Sequence, residues 1–228
     1  MDYYIITYGI ALIALAITGS ASLYINLTYK KYSKIFNKKR ITGAETARII
    51  LDKNGLKDIY VVETGGTLTD HYDPSRKVIR LSKSIYNDES ISSVAVAAHE
   101  CGHAIQDKDG YLFLRIRSSL VPLVNFSSSA GYIVIFLGIL MQSLNLIWLG
   151  IILEGIILLF QLITLPVEID ASKRGLKAIE EYNLLNEIEM PNAKSVLIAA
   201  ALTYVAGVAA SMLEILRLIL LFGRRDKR

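Results

Sequence analysis

Two histidines four residues apart, with a glutamate directly after the first, form the clearest chemical signal in this sequence. The residues are His99, Glu100 and His103, which match the pattern H-E-x-x-H. Residues four apart share one face of an α-helix, so both imidazoles can bind one Zn²⁺ ion. Glu100 lies one step round the helix, within reach of a metal-bound water whose proton it can take. The motif therefore predicts zinc-dependent hydrolysis.

The residues around this motif have the spacing of a helix from about 90 to 107. We expect its start to be capped by Asn87 and Asp88, because both residue types are common N-caps. Cys101 falls on the far side from the histidines and is a poor ligand candidate. Gly102 lies beside them, where the missing side chain leaves room for a water or a substrate. The apolar face consists of Ile91, Val94, Ala95, Ala98 and Ile105.

A third metal ligand is expected, because a catalytic zinc usually keeps three protein ligands and one water. Glu168 is the best candidate, since the small residues that follow it at helical spacing allow close packing against the H-E-x-x-H helix. Asp170 lies about 200° from it on such a helix and cannot share that role. Glu168 could instead be a carboxylate at a helix start, favoured there by the helix dipole. The small residues are Ala171, Ser172 and Gly175, and the other acidic candidates are Glu180 and Glu181.

The remaining histidine, His71, lies in a stretch rich in turn residues. Asp70 and Asp73 could orient its imidazole. Three roles stay open for it: a metal ligand, a catalytic donor to the transition state, or an ordinary loop residue. His71 and Tyr72 are both candidates for holding the transition-state oxyanion.

Uncharged apolar stretches divide the chain into membrane and aqueous segments. Apolar residues make up 53% of the 228 residues. A bilayer is crossed by roughly 20 helical residues, so we predict transmembrane helices at 3–27, 118–141 and 146–167. The apolar stretch 195–222 is either transmembrane or interfacial. Glu154 lies inside the third of these helices, and two interpretations stay open for it. It is functional or paired with a basic residue, with Arg217 as a conceivable partner, or it is protonated and faces protein or headgroups.

Basic residues beside these stretches indicate the orientation. Six lysines and arginines lie between residues 30 and 40, with no acidic residue among them. The positive-inside rule then places the following segment on the cytoplasmic face of the cell membrane. A turn at 142–145 returns the chain to that face, whereas the basic tail 223–228 would lie outside if 195–222 spans. The net charge of +4 comes from basic residues that flank the apolar stretches, so it does not indicate nucleic-acid binding. A single cysteine excludes an internal disulfide.

The segment 37–112 has the pattern of a small aqueous α+β domain. Thr42 and Glu45 form a capping box and Gly55 ends the helix that they start. The second strand of this domain could present an edge to an extended peptide. The predicted elements are helix 42–54, strands 59–63 and 77–81, the H-E-x-x-H helix and, after the membrane hairpin, helix 168–186 carrying Glu168.

Four stretches carry a family resemblance. They run from Leu68 to Pro74, from Leu81 to Ser82, from Ala98 to Gln106 and from Leu165 to Ser172. In this order they resemble the YugP family of bacterial and archaeal membrane zinc metallopeptidases, and the resemblance covers nearly the whole chain. It implies zinc and peptide-bond hydrolysis, and a fold in which an α-helical integral membrane protein carries a small, gluzincin-like α+β domain on the cytoplasmic side.

The chain is more distantly similar to the HtpX and CAAX-prenyl-protease group. There too a membrane segment separates H-E-x-x-H from a glutamate ligand. In that group an aspartate four residues after the glutamate supports a zinc histidine, whereas this chain has Ser172 at that position. Ser172 can form one hydrogen bond but brings no charge, so the surroundings of the metal must differ.

These observations predict a membrane-bound zinc endopeptidase. His99, His103 and Glu168 hold the metal, Glu100 is the general base and His71 assists. Its partners are a protein or peptide substrate, membrane proteins included, and the lipid bilayer; the sequence does not indicate an oligomeric state.

Two other functions remain open. One is a non-catalytic membrane protein with a closed structural zinc site, which needs a fourth ligand such as His71. The other is a metal-free adaptor or transporter subunit in which Glu154 and Arg217 are the working pair.

Overall fold

The computed structural model describes residues 2–223; of the basic tail 223–228, residues 224–228 lie outside the described range. The described chain divides into two compact units, a membrane unit and an aqueous unit. Its elements in chain order are α1 (Asp2–Tyr32), α2 (Gly43–Lys53), β1 (Tyr60–Thr64), β2 (His71–Asp73), β3 (Val78–Ser82), α3 (Lys83–Tyr86), α4 (Ile91–Lys108), α5 (Leu112–Leu140), α6 (Leu144–Glu181) and α7 (Met190–Phe222).

The membrane unit comprises residues 2–22, 116–165 and 202–223. Within residues 2–223, four helices are long and apolar enough to cross a bilayer: α1, α5, α6 and α7. No apolar side chain between residues 5 and 27 of α1 is buried, so the isoleucines and leucines of this stretch are at the surface of the molecule. Such a surface is stable against lipid and unstable in water. The protein is therefore a membrane protein.

The helices α5 and α6 form a hairpin whose turn, at 141–143, overlaps the predicted one. Gln142 in this turn has a φ of 53°. Glycines bring the two helices together: a Cβ on Gly150 would lie 3.0 Å from the carbonyl oxygen of Gly131. Small residues at such contacts let helix backbones approach closely, which is the usual basis of helix packing in lipid.

Glu154 on α6 faces Gly131 on α5 and is 8% exposed. One of its carboxylate oxygens is buried without a hydrogen-bond partner among the described residues. Arg217, considered as a conceivable partner, pairs elsewhere: its guanidinium binds Glu214 one turn earlier on α7, with Nε 2.8 Å from Oε2. The spacing of three residues between Glu214 and Arg217 places both on one face of the same helix, so this pair could have been expected from the sequence.

The aqueous unit comprises residues 23–115 and 166–201, and contains the sheet, α2, α3 and α4. Its core joins the apolar face of α4 to residues from the other elements, Ile50, Leu51, Ile79, Ile85 and Ile179 among them. The predicted capping box of α2 is confirmed, since Thr42 Oγ1 accepts from Glu45 N and Glu45 Oε2 accepts from Thr42 N. Gly55, with a φ of 72°, follows the C-cap Asn54 as expected.

The three-stranded sheet has the order β1-β3-β2. β3 pairs in parallel with β1 and antiparallel with β2. The predicted strands are found with shifts of one residue, but β2 lies in the stretch that the sequence assigned to a turn. The expectation that the β3 segment presents a free edge is therefore wrong, because that strand is paired on both sides. The short β2 was missed because turn residues surround its three positions.

Two helices differ from expectation at their boundaries. Ser90, rather than Asn87 or Asp88, caps α4, and its Oγ accepts from Ser93 N at 3.1 Å. The segment expected as a separate helix at 168–186 is instead the continuation of α6, which ends at Glu181. Pro166 lies inside α6, where it removes one backbone hydrogen-bond donor from the helix. α7 begins at Met190 and runs to Phe222 as one helix.

Candidate metal centre

The helices α4 and the C-terminal part of α6 touch through glycines. A Cβ on Gly102 would overlap the carbonyl oxygen of Ala171, and a Cβ on Gly175 would lie 2.7 Å from the carbonyl oxygen of Ala98. The close packing predicted from the small residues after Glu168 is therefore confirmed. The expectation that Gly102 leaves room for a water or a substrate is wrong, because the backbone of α6 occupies the space beside it.

This contact brings His99, His103 and Glu168 together. Oε2 of Glu168 lies 3.2 Å from Nε2 of His99 and 3.6 Å from Nε2 of His103. The ligand atoms of the three residues all lie within 4.8 Å of one another, and no other such group of histidine, cysteine or carboxylate occurs in residues 2–223. The side chains are 15%, 9% and 3% exposed, in the order His99, His103 and Glu168.

The outer nitrogens of both imidazoles are engaged by neutral side chains. Nδ1 of His99 lies 3.1 Å from Ser172 Oγ, and Nδ1 of His103 lies 3.0 Å from Gln106 Oε1. These contacts turn both Nε2 atoms towards the Glu168 carboxylate. Ser172 thus contacts His99, as expected from its position four residues after Glu168, and it brings no charge to this contact.

The donor set fits zinc. Two imidazole nitrogens and one carboxylate oxygen form one of the common ligand sets of a catalytic zinc, which leaves one position for a water. Ligand atoms bonded to tetrahedral zinc lie about 3.3 to 3.5 Å apart, as follows from its bond lengths. The two distances to Glu168 are close to this spacing, so this group of donors is suited to hold a Zn²⁺ ion.

Glu100 is 6% exposed and follows His99 on α4. Burial raises the pKa of its carboxyl above the usual range, while the neighbouring histidines act in the opposite direction. A carboxylate with a raised pKa accepts protons more readily than an exposed glutamate. In the metal-loaded protein the charge of the cation also lowers this pKa.

His71 is not part of the ligand group. It is the first residue of β2, is exposed, and its Nδ1 lies 2.8 Å from the carbonyl oxygen of Thr69. Among the described residues, no fourth protein ligand therefore joins the three metal-binding candidates. Cys101 is also excluded: its thiol faces the Ala47 carbonyl on α2, and burial raises its pKa.

The aspartates expected to orient His71 have other partners. Asp70 accepts hydrogen bonds from the backbone N–H and the hydroxyl of Ser82, at 2.7 and 3.0 Å. Asp73 accepts from Ser75 and Arg80, and these contacts lower its pKa to about 2. Both carboxylates therefore stabilise the β2–β3 pair, and the expectation that they orient the imidazole is wrong.

Tyr72 is likewise engaged elsewhere. Its hydroxyl donates to Asp107 Oδ2 at 2.9 Å, near the C-terminal end of α4. Burial, together with the Asp107 carboxylate, raises the pKa of Tyr72. The contact connects β2 to the helix that carries both histidines.

Gln106, which was not among the site residues expected from the sequence, is fully buried beside His103. Its amide Nε2 donates to the Val167 carbonyl and to Asp170 Oδ2, both at 2.8 Å. Asp170 is not a ligand, as expected, but it contacts the centre through this glutamine. The spacing could have revealed Gln106, because it lies three residues after His103 on the same helix face.

Comparisons with known proteins identify the family of this chain. A family profile described as "Putative neutral zinc metallopeptidase" matches residues 6–223. The chain belongs to this family. Among curated proteins, it is 46% identical over 209 residues to the "Putative membrane protease YugP" of Bacillus subtilis (strain 168), covering 92% of this chain and 93% of that protein. No solved structure was found to match the chain.

Proposed function

We propose that this protein is a membrane-bound endopeptidase that uses Zn²⁺ held by His99, His103 and Glu168. The observation that carries the proposal is the meeting of these three donors, from two helices, beside the buried carboxylate of Glu100. The family to which the chain belongs and the relative described as a membrane protease support the same reaction class.

In the reaction, Glu100 is the general base. Its carboxylate takes a proton from the attacking water and passes it to the amine that leaves from the cleaved peptide bond. When bound, Zn²⁺ supplies Lewis acidity that lowers the pKa of its water towards about 7 and polarises the scissile carbonyl. Ser172 and Gln106 hold the two imidazoles in position through their Nδ1 atoms. His71, exposed at the start of β2, is retained as a candidate donor to the oxyanion.

An extended substrate would pair with β2. Within the described sheet, β2 is an edge strand, since it pairs with β3 alone. The hydrogen bond from the Tyr72 hydroxyl to Asp107 attaches this strand to α4, the helix that carries His99, Glu100 and His103. Addition of a peptide to a free strand edge presents its backbone in extended form, as cleavage requires.

The proposed location of the centre is the cytoplasmic face of the cell membrane. The six basic residues that follow the apolar part of α1 support this orientation. Substrates at this face include the aqueous and juxtamembrane parts of other membrane proteins.

The first test is hydrolysis of an unfolded protein such as casein by the purified, detergent-solubilised protein. We expect chelation to abolish cleavage and added Zn²⁺ to restore it. Glu100→Gln removes the base but no ligand, so it should lower the rate by at least about 100-fold while Zn²⁺ stays bound. Cleavage by this variant near the normal rate would contradict the role of Glu100. Bound zinc without any cleavage by the wild-type protein would favour the non-catalytic alternative.

A further inference from the structure

We infer that Gln106 is a positioning residue of the metal centre, which holds His103 in the tautomer that presents Nε2 to the metal. The same amide attaches His103 to the α6 backbone close to Glu168. This inference rests on the proposed zinc function and adds a residue that the H-E-x-x-H motif does not include.

The orientation of the Gln106 amide follows from its partners. The nitrogen Nε2 lies 2.8 Å from the carbonyl oxygen of Val167 and 2.8 Å from Oδ2 of Asp170. Both of these atoms can only accept hydrogen bonds. A flipped amide would place its oxygen against two acceptors and leave that oxygen, on a fully buried side chain, without a donor, which is costly. The amide oxygen therefore faces His103.

The tautomer of His103 follows from this orientation. Gln106 Oε1 has no proton to give, so Nδ1 of His103, 3.0 Å away, must carry the proton and donate it. In the neutral ring the lone pair then lies on Nε2, the atom that faces Glu168 and the expected metal position. The corresponding partner of His99 is the Ser172 hydroxyl, which can donate or accept. The chain thus imposes the metal-binding tautomer on His103 and only permits it on His99.

A short ionic chain keeps the amide in place. Asp170 Oδ2, which accepts from Gln106, also accepts from Arg174 Nε at 2.6 Å. Arg174 in turn forms an ion pair with Asp109, just after α4. Asp170 is therefore held from both sides, and a hydrogen bond to an ionised acceptor is stronger than one between neutral groups. The contacts bridge α4 and α6 beside His103.

The test compares Gln106→Met with the wild-type protein. Methionine keeps the length and the apolar stem but has no amide. Zn²⁺ is titrated into metal-free, full-length protein in detergent, in competition with a chelator. We expect the zinc affinity to fall by about 10- to 100-fold, the usual loss when the partner of a ligating histidine is removed. Cys101→Ala is the matched control, because it is equally buried on the same helix and should leave the affinity unchanged.

A second readout reports the tautomer directly. The chain contains three histidines, so ¹⁵N-histidine labelling gives few imidazole signals in the NMR spectrum. In metal-free protein, at a pH high enough to make the imidazole neutral, we expect the Nδ1–H form of His103 in the wild type and in Gln106→Glu, whose side chain still accepts from Nδ1. Asp170→Asn should also keep it, because asparagine can still accept from Gln106. Gln106→Met should show a mixture of tautomers.

The outcomes separate this inference from the proposed function. Absence of zinc binding by the wild-type protein would refute the proposed function. Normal zinc affinity and an unchanged tautomer in Gln106→Met would refute only the role of Gln106. A lower affinity with an unchanged tautomer would assign Gln106 to packing and also refute it. If Gln106→Met does not fold, an Nε2–H tautomer of His103 in Gln106→Glu would overturn the inference.

Discussion

At the scale of single residues, the centre holds one charged donor. Glu168 provides a carboxylate, whereas both histidines are supported at Nδ1 by neutral side chains, Ser172 and Gln106. A carboxylate bound to Nδ1 makes an imidazole a stronger metal ligand than a neutral partner at Nδ1 does. A bound Zn²⁺ ion would therefore keep a net positive charge and depend strongly on Glu168.

Replacement of Glu168 by glutamine is expected to cut zinc affinity by more than about 100-fold, beyond the loss typical of residues that only support ligands. Glu180→Gln is the matched control on the same helix, since Glu180 is exposed. His71→Ala should retain zinc, because His71 lies outside the ligand group. Zinc is measured by chelator competition in folded, purified variants. Full zinc in Glu168→Gln with loss in His71→Ala would refute the ligand assignment.

At the scale of elements, the centre depends on how closely α4 and α6 approach. Its donors lie on two helices, and glycines at the crossing allow the backbones to touch. Protein interiors are close-packed and tolerate extra volume poorly, so a larger residue there must move a helix. A shift of about 1 Å would separate Glu168 from the histidines without removing any ligand.

Gly175→Leu tests this dependence. A Cβ at this position would lie 2.7 Å from the Ala98 carbonyl oxygen and 3.0 Å from the His99 nitrogen. We expect a loss of about 1 to 3 kcal/mol of stability from overpacking, and a fall of about 10-fold or more in zinc affinity. Thermal unfolding and zinc titration in detergent measure the two effects.

The control for this variant is Gly155→Leu. It makes the same substitution on the same helix, at a position where a Cβ would meet no atom within 4 Å. It should leave both zinc affinity and thermal stability near the wild-type values. Equal behaviour of the two variants would contradict the argument that the glycine crossing positions the metal ligands.

At the scale of the whole molecule, the proposed function depends on which side of the membrane contains the aqueous unit. The basic residues after the apolar part of α1 favour the cytoplasm. The turn between α5 and α6 should then lie on the opposite side, since each of these helices is long enough to cross once.

Cysteine labelling in intact cells tests this topology. In a Cys101→Ala background, cysteines at Ser33 and Lys57 should resist an impermeant thiol reagent until the cells are permeabilised. A cysteine at Met141, exposed in the α5–α6 turn, should react from outside. Labelling at Ser33 and Lys57 with protection at Met141 would invert the orientation.

Local patterns in the sequence determined much of this protein. The H-E-x-x-H spacing, the capping box of α2 and the long apolar stretches depend on helix period, local hydrogen bonds and segment length, which neighbouring residues set. The small residues after Glu168 also predicted a close helix contact, because only small side chains let two backbones touch.

Only the tertiary structure decided which distant groups meet. It placed β3 in the centre of the sheet, continued α6 through Pro166, filled the space beside Gly102 with the Ala171 backbone and connected His103 through Gln106 to Asp170. These contacts join residues up to about 70 positions apart, and many alternative partners share the same local pattern. The free energy of packing and of satisfying buried polar groups selects among them, and both depend on the whole fold.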